Sequence, residues 1–559
     1  MSTAQRRASD YIAPKEPAEL ILPVEHVDAG TLEVGIDHDL STLIDQANDE
    51  VVGVGQAQSD VADLTNISTS LERTGMLIME SLEAGTGLNA QTLMAIEYGV
   101  QDQLSRASMD LVLCPSLEDN TVTDLEKTCV SLENLQESLK KIEVGVSNAV
   151  VKMGRHLRDF FSNSEKVQEK MLDKLKKLRA QWLAIETAGE PQTLSGVPSV
   201  VFGLYYGDPN FSRADQLYIS TLKALGNFAR TYSTTGVKEL EARLKAFSTV
   251  KDGVPTITPE DVVQWMNEET KRREVLLQLG YGQPTGGTHY DEYIVETSGI
   301  LPGGAQLEST RLDLSGSKDD AEIGGAIIAS LGDCTLDLTK ASKMGKIPTG
   351  IPAATKEQAL AILDAAIEAT TNYHALVSAY RKVGDSFDDT LHTFEKIADS
   401  FSEIRSAELD PGRLSTLDGI IKGKNVATKV VQLASIGKGL MVLNDLKALG
   451  LPAGARALVF ISAAGKVSNV WMLPAMIGGM AMGGLLARFI KDPKGINVED
   501  PNAALLYILR ALKEYAIWMP VYATNSGQTT AQYMSKFVPT LIDYLSMSAK
   551  VALKPQAEK

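Results

Sequence analysis

The chain is poor in the residues on which most recognisable chemistry is built. It has three cysteines and six histidines in 559 residues. So low and odd a cysteine count excludes a disulfide framework and fits a reducing compartment. Cys114 and Cys129 have no cysteine or histidine beside them at ligand spacing, so they read as small buried hydrophobes. His26, His38, His156, His289, His374 and His392 form no HExxH pair and no zinc-finger spacing, so no metal or other cofactor is implied. A phosphate-binding P-loop is absent: Gly465-Lys466 is followed by Val467, and Phe460 stands where the first glycine belongs. Neither GxSxG nor a GxGxxG after a strand occurs. Aromatics are 6% of residues, too few for a protein-wide stacking surface. Basic residues are outnumbered 54 to 71, for a net charge of −17. That balance excludes a strongly basic full-length nucleic-acid binder. Arg6 and Arg7 are followed by no long apolar run, so the N-terminus is not a secretory signal peptide.

What remains is an ordinary globular composition, 44% hydrophobic and 22% charged, long enough for several domains. The charge is unevenly spread. Residues 1–133 carry 6 basic and 24 acidic side chains, a net of −18. Residues 134–182 carry 11 basic and 6 acidic, a net of +5, and the other 377 residues net −4. An acidic segment beside a basic one marks either an electrostatic partner site or two faces that attract each other.

The predicted fold class is mainly α: helical N-terminal and C-terminal regions around a smaller α+β middle domain. Residues 1–38 are an acidic, Pro-containing tail without helical period. Residues 39–133 are an acidic helical domain. Its apolar positions run from Leu43 through Val54 and Val61 to Leu71, with Gly53 and Gly55 expected to weaken or break the helix. Asn89 can cap a helix with Leu93, Ile96 and Val100 on one face. Thr123 and Glu126 have capping-box spacing.

Residues 134–190 form the clearest periodic segment. Leu135, Leu139, Ile142, Val146, Ala149, Met153, Leu157 and Phe160 recur at steps of three and four, and Val167, Met171, Leu175, Leu178 and Trp182 continue the stripe. That period suits a coiled coil or a long helical arm, with kinks at Gly145 and Gly154. Its opposite face carries Lys170, Lys174, Lys176, Lys177 and Arg179, a solvated face or a contact for DNA or an acidic partner.

Residues 191–354 read as an α+β domain. Ser199 to Tyr206 reads as a buried strand, with a turn at Gly207-Asp208-Pro209-Asn210. Thr258-Pro259-Glu260-Asp261 starts a helix running to about Leu279. Tyr293 to Glu296 and Arg311 to Leu314 read as strands. Gly286-Gly287-Thr288-His289-Tyr290-Asp291 reads as a surface turn or a ligand-binding loop. From residue 355 to 559 the chain returns to helix, with a capping box at Thr355 and Gln358. Helices are predicted at 356–383, 386–407, 425–449, 455–472, 501–518 and 528–550. Residues 467–487 hold 21 residues without a charge, long enough to span a bilayer. Pro474 and four glycines suit a buried helical hairpin equally well.

Ser-Leu-Glu occurs at Ser70-Leu71-Glu72, Ser81-Leu82-Glu83, Ser116-Leu117-Glu118 and Ser131-Leu132-Glu133. The tripeptide starts helices readily, and a protease selective for acidic residues can also read it. These copies come with Gly85-Thr86-Gly87-Leu88-Asn89 opening a helix, and with a long Lys-rich helix bearing Phe160-Phe161. Together they resemble the internal head proteins of large tailed bacteriophages, over about residues 40–182. The resemblance implies a non-enzymatic virion structural protein. It would be made in the host cytoplasm, packaged inside the head among capsid and prohead core proteins, and processed by a prohead protease. Glu83, Glu72, Glu118 and Glu133 are then candidate cleavage positions, with Glu19 in the tail as another. Packaged DNA is a candidate partner of the Lys-rich face. Two other readings stand beside it: a membrane-active ejection protein acting through 467–487, and a cytoplasmic enzyme with a site in 191–354.

Overall fold

The computed structural model describes residues 38–83, 87–106, 123–185, 192–248, 250–251, 254–255, 259–290, 293–313, 331–341, 344–408 and 501–553. The acidic tail with Glu19, the loop bearing Cys114 and Glu118, the helices predicted at 425–449 and 455–472, and the apolar segment 467–487 lie outside them.

Among the described residues, the N-terminal region holds α1 (His38–Glu83), α2 (Ala90–Arg106) and α3 (Asp124–Ala184). Short elements follow: β1 (Thr193–Ser195), α4 (Pro198–Leu204), α5 (Ala214–Thr231), one π-helical turn (Tyr232–Gly236) and α6 (Val237–Ser248). The middle continues with β2 (Val250–Lys251), β3 (Val254–Pro255), α7 (Pro259–Leu277), β4 (Thr285–Tyr290), β5 (Tyr293–Thr297), β6 (Ala305–Leu312), β7 (Leu336–Lys340) and β8 (Gly350–Pro352). Two helices of 53 residues each, α8 (Lys356–Glu408) and α9 (Pro501–Leu553), complete the order. The architecture is mainly α around a small mixed middle.

The long helix α3 has 61 residues, about 90 Å at the usual rise, and begins at Asp124 rather than at 134. Its start is a complete capping box. Thr123 Oγ1 accepts from the Glu126 amide, and the Glu126 carboxylate accepts from the Thr123 amide at 3.0 Å. This bonding holds the Glu126 carboxyl below the usual range. Every apolar stripe position from Leu135 to Trp182 named above is buried. The stripe faces neighbours on more than one side. α1 packs antiparallel along it, joined by Glu50 to His156 and by Ser68 to Glu143. α8 also runs antiparallel to it, with Arg179 bonded to Asp364 at 2.6 Å and Phe161 stacked on Tyr380 at 4.6 Å. The Trp182 indole N–H donates to the Leu545 carbonyl of α9.

Two of the glycines expected to break these helices, Gly53 and Gly145, instead let them approach. A Cβ on Gly53 would lie 2.6 Å from the His156 ring, and one on Gly145 would lie 3.2 Å from Leu64. Helix α1 is therefore continuous through Gly53 and Gly55, and α3 through Gly145 and Gly154. Packing against a neighbour over the whole length outweighs the propensity cost of a few glycines.

The run Ser199 to Tyr206, expected as a strand, is mostly the helix α4. Pro198 sits at its first turn, and Gly203 abuts Thr540 of α9. A short apolar run buried all round carries no period, so helix and strand look alike in it. The expected turn is present: Gly207 has φ +100°, and the Asp208 carboxylate accepts from the Asn210 and Ser212 amides.

β4 to β7 form an antiparallel sheet in the order β4-β5-β6-β7. Of the stretch 286–291 expected as a turn or loop, residues 286–290 thus belong to the paired strand β4, with a register shift between Thr285 and Thr288, and residue 291 lies outside the described residues. The strand expected at 311–314 begins earlier and ends at Leu312. One hydrophobic cluster runs from α1 through the middle elements to α8 and α9.

Helices predicted separately at 356–383 and 386–407 are one helix, as are those at 501–518 and 528–550. The gap expected between 518 and 528 is continuous helix, and the polar run Thr524 to Thr530 in and beside it is part of α9. Its side chains hold the sheet. Asn525 Oδ1 accepts from the Leu336 amide at 2.6 Å, and Thr529 Oγ1 donates to the Leu336 carbonyl at 2.7 Å. The β7 edge is thereby capped by a helix.

Candidate functional site

Two constellations of polar groups stand out, both built on α7. The first is enclosed. Glu269 is fully buried, and Arg273, one turn on, is 3% exposed. Glu269 accepts from Ser526 Oγ and from the Tyr232 hydroxyl, each at 2.6 Å. Arg273 donates to Ser526 Oγ at 3.1 Å and to the Cys334 carbonyl at 3.2 Å, and its guanidinium lies over the Tyr522 ring. Arg273 Nε lies 3.4 Å from Glu269 Oε1, and Arg272 approaches Oε2, the oxygen bonded by Tyr232, at 3.6 Å. Tyr380 donates to the Ala523 carbonyl. The Tyr232 phenol is pushed well above its ordinary value, first by burial and then by the Glu269 charge. Burial opposes the charge on Arg273, but Tyr522 and Glu269 keep its guanidinium firmly protonated. Tyr232 opens the π-helical turn, which carries its hydroxyl inward to α7 and α9. The centre joins α7, the π turn, α8 and α9, with its hydroxyl and guanidinium donors directed at protein acceptors. It holds elements together.

The second constellation is open. A cleft of about 340 Å³ lies between α7 and the sheet, lined by Met266, Asn267 and Thr270 on one side and by His289, Ile294, Arg311, Leu312 and Asp313 on the other. His289 Nδ1 bonds Asp313 Oδ2 at 3.0 Å. Arg311 reaches Glu296 through Nε at 3.3 Å and Nη2 at 3.5 Å. His289, Ile294 and Arg311 stand side by side across three strands. The sheet face is apolar over Ala305 and Leu307 and becomes charged at this corner. No group of three or more metal-ligating side chains occurs among the described residues.

The predicted site residues are scattered. Lys170 pairs with Asp39 at 3.3 Å and Arg179 with Asp364, so part of the basic face is bonded within the chain. Lys174 is half-buried, while Lys176 and Lys177 are exposed. The Asp39 and Glu50 contacts to Lys170 and His156 join the acidic segment to the basic one. Among the Ser-Leu-Glu glutamates, Glu133 is exposed within α3, Glu72 lies within α1 and Glu83 is its last residue. These sites are not brought together.

The buried centre was missed in the sequence, though a signal existed. Trp265, Glu269, Arg273 and Leu276 recur at steps of four, four and three, which places opposite charges on the buried stripe of α7. His289 was singled out, but its partner Asp313 is 24 residues away in a different strand connection. No family model, curated protein or solved structure matches the chain.

Proposed function

We propose that the chain is a non-enzymatic structural protein of a bacteriophage virion, packed inside the head with capsid and prohead core proteins. One observation carries the reading: α3 is a single 61-residue helix on which α1, α8 and α9 all pack. Such a spine presents long helical faces to neighbouring molecules, as an assembly protein requires. The resemblance over residues 40–182 points the same way. Among the candidates in described residues, Glu83, where α1 ends, is the cleavage position that needs least unwinding of a helix. Packaged DNA is met by Lys176 and Lys177, the exposed members of the basic face. Mass spectrometry of purified virions tests the proposal. Stoichiometric recovery of the chain, with or without its N-terminal segment, is expected; its absence from particles defeats the idea.

A further inference from the structure

We propose that the cleft between α7 and the β4–β5–β6 corner binds a small, uncharged aromatic molecule bearing a hydroxyl, of the phenol class. The inference is independent of the assembly role. Among the described residues the floor is apolar: Met266 is 3% exposed, and Ile294 and Leu312 are each 6% exposed. The titratable groups at the rim are matched in pairs, Arg311 with Glu296 and His289 with Asp313.

The pairing decides the ligand's charge. Each rim carboxylate already has a hydrogen-bonded basic partner. A charged ligand entering the cleft would give up water and find no unmatched counter-charge. A neutral one incurs no such cost. The lining decides the ligand's body. Arg311 bonds Glu296 through Nε and Nη2, both in the guanidinium plane, so its flat faces remain for a ring. The Met266 thioether favours the same kind of neighbour. Helix α7 decides where the polar end sits. Asn267 and Thr270 are neighbours one turn apart on the cleft wall. The hydroxyls of Thr371, Thr524 and Thr530 each donate to a carbonyl one turn back in their own helix. Among the described residues, the Thr270 hydroxyl and the Asn267 amide make no such bond and no other, so both serve a ligand hydroxyl. The volume of about 340 Å³ lies at the lower end for small-molecule sites and suits one ring rather than an extended chain.

The test is methyl-detected NMR of the full chain, titrated with p-cresol, with p-toluate (the same ring bearing an anion) and with 4-methylbenzylamine (the same ring bearing a cation). p-Cresol is expected to shift the methyls of Met266, Ile294 and Leu312 to saturation and to leave those of Leu175 and Leu178 in α3 in place. Each charged probe is expected to bind about tenfold more weakly or worse, as for a charge desolvated without a partner. Thr270→Val removes the hydroxyl at nearly constant shape, and Asn267→Ala removes the amide. Each should weaken p-cresol by about two- to tenfold, as for one lost hydrogen bond. Should either variant misfold, the comparison of the three probes on the natural chain decides alone. No saturable shift with p-cresol, binding of either charged probe as tight as p-cresol, or unchanged p-cresol affinity in both variants overturns the proposal.

Discussion

Replacing Glu269 by Gln is the sharpest perturbation of the fold. The change keeps the side chain's size and removes its charge. Arg273 then remains 3% exposed with no counter-charge, held by Ser526, the Asn525 side-chain oxygen, the Cys334 carbonyl and the Tyr522 ring. The amide also turns an N–H toward either Ser526 or Tyr232, both of which now donate to Glu269. Tyr232 can redirect its hydroxyl to the Ala523 carbonyl at 3.0 Å, so that part of the loss is small. The uncompensated guanidinium dominates. Breaking a buried pair from one side costs about 3–5 kcal/mol. Against a typical total of roughly 5–15 kcal/mol, the loss is plain in a denaturation curve. The assay is urea unfolding of E269Q, R273M and the double variant, read at constant slope. The double variant should fall short of the sum of the singles by about 2–3 kcal/mol, because removing both charges leaves neither stranded. Strict additivity, or an E269Q loss under about 1 kcal/mol, would refute the reasoning.

Other expectations follow from the same packing. Gly53→Ala should destabilise the α1–α3 pair by about 1–3 kcal/mol through overpacking on His156, with His156→Ala in the same chain recovering much of it, as read by thermal unfolding. Gln168 is 1% exposed and neither of its amide atoms is bonded to protein, so Gln168→Leu should raise stability by about 1 kcal/mol in urea unfolding. Glu126 has a depressed carboxyl, so the capping contribution is complete above the unfolded carboxylate range and disappears as pH falls through its lowered folded value. The protection factor of the Lys127 amide, its exchange rate corrected for the intrinsic pH dependence, should therefore fall on acidification, and Glu126→Gln should flatten that response. Lys176→Ala with Lys177→Ala should lower DNA affinity and reduce the slope of log K against log salt by up to about two; an unchanged slope removes DNA from the partners of this face.

The helices were legible wherever one face is buried and the other wet. The α3 stripe and its capping box follow from spacing alone, as do the caps at Asn89 and Thr355. Boundaries failed where local propensity met long-range packing. Gly53 and Gly145 look like breaks until His156 and Leu64 are seen against them. The gap left at 519–527 closes into α9, where Asn525, with Thr529 beside it, is bonded to Leu336. In the cleft, His289 was legible as a polar group on a glycine-rich stretch. Its convergence with Arg311 and Asp313 depends on strand register, which no local pattern encodes.

Protease protection in intact particles tests the assembly role most directly. Purified virions are treated with protease before and after their heads are opened, and the chain is followed with an antibody to α9. A packaged internal protein is protected in intact heads and degraded once they are opened. A chain that is absent from the particles, or digested equally in both samples, contradicts the account.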